Sequence, residues 1–163
     1  MAFDFSTLVT DRTAADVEHW QNLRDKGFQN MLPEERAEWL SGKMKGAYNT
    51  GDLNRVGQAL NYLRGRLIEA GYITYSTMFE VPEHWTVTQI PTAEELKHYL
   101  KCVSIIRQAL AQFPTTPPAP PIQSALNHIE ANNIEQILID VETLINNMLA
   151  ITVYCGEFYA NEI

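Results

Sequence analysis

Apolar residues recur at alternating steps of three and four along residues 53–67. Leu53, Val56, Leu60, Leu63 and Leu67 form one continuous helical face. The residues before this seam supply a helix start. Asn49 is placed at the N-cap, with Asp52 three positions on to return a bond to the cap backbone. Tyr48 and Leu53 then occupy the two positions of a hydrophobic staple. Gly57 lies beside the seam, where a glycine costs about 1 kcal/mol against alanine, so a close approach of another backbone is expected there. Gly71 is placed at the helix end.

The same reading runs along the rest of the chain. Residues 1–12 read as an irregular arm. "TAADVEHWQNLRDKG" has Thr13 as cap, Asp16 three residues on, a stripe of Val17, Trp20 and Leu23, and Gly27 as terminator. "LPEERAEWLSG" is a short helix with Pro33 at its first position, Glu34 and Glu35 at the positive end of its dipole, and Ala37, Leu40 and Met44 on one face. Residues 72–90 change character. "YITYSTMF" and "HWTVTQI" are rich in aromatic and β-branched residues around the break "EVPE", which predicts a small antiparallel hairpin. Two strands alone are marginal in water, so the hairpin must pack on helices or join a partner. Thr92 and Glu95 make a capping box for a helix whose face is Leu96, Tyr99, Val103, Ile106 and Leu110. "PTTPPAPP", residues 114–121, is an extended connector. The last helix is predicted to start near Asn127, with Glu130 three residues on. Its apolar positions are Ile134, Leu138, Val141, Ile145, Met148 and Thr152.

The expected fold is therefore mainly α, about five helices with one small β-hairpin, the last helix following a proline-rich connector. Residues 13–113 form the helical domain, and 122–163 pack on that domain or on a neighbouring subunit. At 163 residues the chain can bury a sizeable core. The opening "MAFDFSTLVTDR" lacks a basic region followed by an apolar run, and "MLAITVYC" is too short to span a bilayer. The expectation is a soluble chain with no membrane partner.

Charge sharpens this picture. The net charge is −8, and all 12 Lys and Arg lie in residues 1–113. Residues 114–163 hold no base and six acids: Glu130, Glu135, Asp140, Glu142, Glu157 and Glu162. That distribution argues against a nucleic-acid partner, whose phosphates demand a basic face. The acidic segment either keeps a helix face soluble or lies against a more basic surface.

Candidate chemistry is sparse. The glycines at 46, 51 and 57 fit no phosphate-binding spacing, and no calcium loop follows Asp52 and Asn54. Glu95 and His98 have the i, i+3 spacing of di-iron bundles, but no second such pair exists, and Glu95 is already a capping residue. Cys102 and Cys155 make neither a disulfide framework nor a zinc site, and read as small buried side chains. No nucleophile elbow is present. The expectation is a non-enzyme without metal or cofactor. Its candidate interaction surface is the aromatic set Tyr72, Tyr75, Phe79 and Trp85, since aromatics are enriched at protein interfaces. Those rings could also stack on sugars, or simply pack the hairpin onto its own helices.

The run from Asp11 to Tyr72, most specifically "KGAYNTGDLNRVGQALNYL", resembles a family of small proteins encoded in prophage tail modules of Firmicutes. The likeness continues through Trp85-Thr86, Ile90-Pro91-Thr92, "NNIEQILIDVETLINNM" and "GEFYANEI". It implies a virion component or tail-assembly protein, in or near the baseplate or fibres, that binds other tail proteins or its own copies. No catalytic motif comes with it. Its recurrent residues, Tyr48, Asn49, Asp52, Leu53, Asn54, Val56 and Gly57, look like caps and core. Asn54 and Arg55 are polar within that motif and are expected to hold a neighbouring segment or partner. Gln89 departs from the pattern, where an acid is common. The alternatives are a carbohydrate-binding host-recognition module using the hairpin aromatics, and a prophage-encoded cytoplasmic adaptor.

Overall fold

Each long helix starts where a polar side chain takes up orphan backbone N–H groups. A computed structural model describes residues 2–78, 80–86, 88–89, 91–122 and 125–160, the last nine by backbone alone. Five α-helices occur among them: α1 Ala14–Lys26, α2 Pro33–Ser41, α3 Thr50–Glu69, α4 Ala93–Ala109 and α5 His128–Ala160. Thr13, Asn49 and Thr92 cap α1, α3 and α4 through reciprocal bonds with Asp16, Asp52 and Glu95. Those bonds to the ionised carboxyl hold Asp16 and Glu95 below the usual carboxylate range. Asn127 and Glu130 exchange the same pair of bonds at the start of α5.

The core is a three-helix layer of α3, α4 and α5. Leu53, Val56, Leu60, Leu63 and Leu67 of α3 meet Tyr99, Val103 and Ile106 of α4 and Ile134, Leu138, Val141 and Ile145 of α5, all buried. Burying each such side chain is worth about 1.5–3 kcal/mol, which makes this seam the main source of stability. α5 thus packs on its own chain over 134–145. The proline-rich connector is fixed to the helices it joins, since Arg107 donates to the Pro117 carbonyl at 2.7 Å and Thr116 bonds Asp140.

A satellite cluster of Leu23, Met31 and Met44 joins α1 and α2 beside the bundle, with Trp20 stacked on Trp39 at 6.2 Å. α2 presents Trp39 to this cluster, while Ala37 and Leu40, expected on its inner face, are exposed. The helix has nine residues, and besides the Trp39 ring it is held by Glu35, Arg36 and Glu38, which bond Lys26, the Phe28 and Gln29 carbonyls and His19, so position in the fold overrides the periodicity. Gly46 closes the unit onto α1. A Cβ there would lie 2.0 Å from the Asp16 carbonyl oxygen.

Residues 72–90 correct the sequence expectation. Neither a strand nor a hairpin occurs among the described residues. After a turn at Thr74–Thr77, Met78 and residues 80–86 form a strap along α3, and backbone groups of the strap pair with side chains of that helix. The Asn54 amide donates to the Trp85 carbonyl at 2.9 Å and accepts from the Trp85 N–H at 2.6 Å. Asn61 does the same with Val81, at 2.9 and 3.0 Å, and Arg64 donates to the Met78 carbonyl at 2.7 Å. The asparagines take the donors and acceptors that a β-ladder would have used. Between them, the Pro82 carbonyl comes so close that a Cβ on Gly57 would lie 2.6 Å away. Glycine is needed there to let the strap down onto the helix.

Candidate interaction surfaces

Four ionised side chains far apart in sequence meet where the N-terminal arm crosses α3 and α5. The Arg12 guanidinium bonds Asp52 at 2.9 Å and Glu135 at 2.6 Å, while Arg55 reaches the same two carboxylates. Glu135 is fully buried, and its second oxygen accepts the Val9 N–H at 2.6 Å. Asn132 grips the arm through both the N–H and the carbonyl of Arg12. Desolvation works against the Arg55 charge, but Glu135 and Asp52 outweigh it and raise its pKa. Two cations and two anions leave the cluster neutral, as a buried ionic group requires. Below it Tyr48 lies under Arg12 and shares a hydrogen bond with Tyr99. Burial, reinforced by Glu135, pushes the Tyr48 hydroxyl far above its ordinary pKa, and burial likewise raises that of Tyr99. Every carboxylate oxygen here already accepts a bond, so the cluster's chemistry is a clamp. Sequence reasoning missed it because its members lie 40 and 83 positions apart. The signal was Glu135 itself, an acid inside the apolar stripe of α5.

The residues singled out beforehand separate into distinct places. Asn49, Asp52, Leu53, Val56, Gly57, Leu60 and Leu63 all belong to the start and seam of α3, and Tyr48 packs against the same core. Thr92 and Glu95 form the α4 cap. The three described aromatics do not form one cluster. Trp85 is half-buried against the main core, Tyr75 stands 70% exposed over Arg64, and Tyr72 is 44% exposed with its hydroxyl toward the Met148 sulfur. Phe79 lies outside the described residues.

His98 faces the Glu80 carbonyl and the Cys102 sulfur, while Glu95 serves the cap. Among the described residues no group of three or more His, Cys, Asp or Glu is arranged to hold a metal. Cys102 is buried, which raises its thiol pKa to about 11. The side chain of Cys155 lies outside the described residues. None of the described helices is long and apolar enough to cross a membrane.

Two surfaces stand out instead. The first is the distal part of α5. The helix has 33 residues against 20 in α3 and 17 in α4, a length of about 50 Å. Arg66 holds Glu142 and Asn146, and Tyr72 reaches Met148. Beyond that point Leu149, Ala150 and Ile151 are all exposed. Three successive positions about 100° apart span roughly 200° of the helix circumference, so a wide face is open at that level. The helix then continues to Ala160.

The second surface is a pair of adjoining clefts, about 500 and 530 Å³, between the α1–α2 unit and the bundle. Trp20, Ala47, Tyr48, Leu53 and Pro91 line both. The first reaches the start of α5 at Asn127, His128 and Ala131. No Asp or Glu is among the residues lining either cleft, in a chain with 20 acids. Arg12, Lys45 and His128 are the first cleft's basic side chains. This acid-free apolar surface had no local sequence signature, because helix α1, the 42–49 linker and the start of α5 build it jointly. No family model, curated protein or solved structure matches this chain.

Proposed function

We propose that this protein is a non-enzymatic assembly component of a phage tail, baseplate or fibre region, acting through protein–protein contacts. The observation that carries the reading is the distal part of α5, apolar and uncovered where it leaves the bundle. The run "MLAITVYCGEFYA" holds one charged residue in thirteen and is rich in β-branched and aromatic residues, which are poor helix formers in isolation. Such a segment is stabilised as a helix by packing against another surface. The exposed Tyr72 stands beside it at a groove of about 320 Å³ that Met148 and Leu149 also line, extending the apolar end of the molecule. The resemblance to prophage tail-module proteins supplies the setting, a virion made from repeated contacts among small chains.

The test is mass spectrometry of purified particles of the phage that encodes the chain. The protein is expected in intact particles, in several copies each. Abundance in the lysate with absence from particles would overturn the reading in favour of a cytoplasmic adaptor.

A further inference from the structure

We propose that the α1–α2 unit is a hinged flap that swings on the three-helix bundle and sets the width of the clefts between them.

The flap and the bundle are held together separately. Leu23, Met31 and Met44, with Trp20 and Trp39, pack as a cluster apart from the α3–α4–α5 core. Polar bonds reinforce that cluster from outside, since Lys26 bridges Glu35 at 2.6 Å and His19 meets Glu38 at 3.1 Å. Among the described residues, every hydrogen bond and ion pair made by α1 or α2 ends within residues 13–43. Toward the bundle the flap presents apolar walls. Val17 and Trp20 of α1 and Leu40 of α2 share the two clefts with Tyr48, Leu53 and Pro91. Apolar contact is non-directional, so these walls can part and close without breaking a directional bond.

The attachments define an axis. Gly46 lies so close to the Asp16 carbonyl and the Trp20 side chain that a Cβ would clash with both, so it moves with the flap. Tyr48 packs on the main core and Asn49 caps α3, so both stay with the bundle. Ala47 is the residue between them. On the other strand of the attachment, Arg12 is fixed by Asp52, Glu135 and Asn132, and the next residue, Thr13, caps α1. The chain therefore crosses from bundle to flap at Arg12–Thr13 and returns at Ala47. Lys45 bridges Asp11 at 2.6 Å, which keeps the two crossings side by side. Two neighbouring pivots leave rotation about the line that joins them, the geometry of a hinge. The Lys45 and Asp11 side chains are 42% and 71% exposed, so their pairing guides the swing without locking it. On the α2 side the Gly42 carbonyl lies 3.5 Å from the place of a Cβ on Gly51, an ordinary contact that limits the swing.

Residual dipolar couplings of the backbone amides in the full-length protein test this. The couplings of α1 and α2 are expected to fit one alignment tensor together. Those of α3, α4 and residues 128–148 of α5 should fit another. The α1–α2 tensor should be at least about a third smaller than the bundle's, because the flap averages over its swing. Equal magnitudes for flap and bundle would overturn the hinge. So would α1 and α2 requiring separate tensors, since the two would then not move as one body.

Discussion

At the scale of single residues, two glycines of α3 should respond in opposite ways to the same change. Gly57 faces the Pro82 carbonyl, whereas a Cβ on Gly65 would meet nothing within 4 Å. Gly57→Ala is expected to lose about 1–3 kcal/mol from the forced contact, despite the better helix propensity of alanine. Gly65→Ala should gain about 0.5–1 kcal/mol. Paired thermal melts check both, and a stabilised Gly57→Ala would contradict the close approach of the strap. Glu135→Gln keeps the shape but leaves Arg12 and Arg55 sharing Asp52 alone. Breaking one partner of a buried ionic cluster costs about 3–5 kcal/mol, readable in a urea titration. A loss below about 1 kcal/mol would mean that the clamp contributes little. The reason for Gly57 was legible in sequence, because a mid-helix glycine on a strong seam asks for a neighbouring backbone. The identity of that backbone was not, since it lies 25 positions away and has no periodicity of its own.

Among the elements, the strap is held by α3 side chains in place of a ladder. Asn61→Ala removes both bonds to Val81 and should speed hydrogen exchange at that amide by at least tenfold, while the amides of the α5 core stay protected. Unchanged protection at Val81 would argue that packing alone holds the strap. The helices themselves were readable in advance. Caps at Thr13, Asn49 and Thr92, and the apolar stripes of α3 and α4, are local patterns, and local patterns decide where these helices start and which side is buried. The strap misled because aromatic and β-branched residues suit any extended, half-buried backbone, whether its partner is a second strand or a helix carrying asparagines at i and i+7. α2 misled for a related reason. One tryptophan ring outweighed the periodicity of two smaller apolar residues. The acid-free cleft stayed invisible because four non-adjacent segments build it, and its defining property is the absence of a residue type.

Taken as a whole, the molecule links through α5 an apolar cleft at the start of that helix to the exposed residues Leu149, Ala150 and Ile151 where it leaves the bundle. The arm, α1 and the linker before α3 bring an open apolar cleft to the start of α5, with Arg12 paired to Asp52 and Glu135 and Lys45 to Asp11. Exposed apolar residues on a helix that runs on past the bundle make the distal part of α5 the central element of the account. The most direct test is the solution mass of the full-length protein by light scattering over a concentration series at moderate salt. The account predicts a mass that rises above 18.5 kDa with concentration and falls back when Ile151 is changed to Asp. A mass fixed at 18.5 kDa throughout would contradict it.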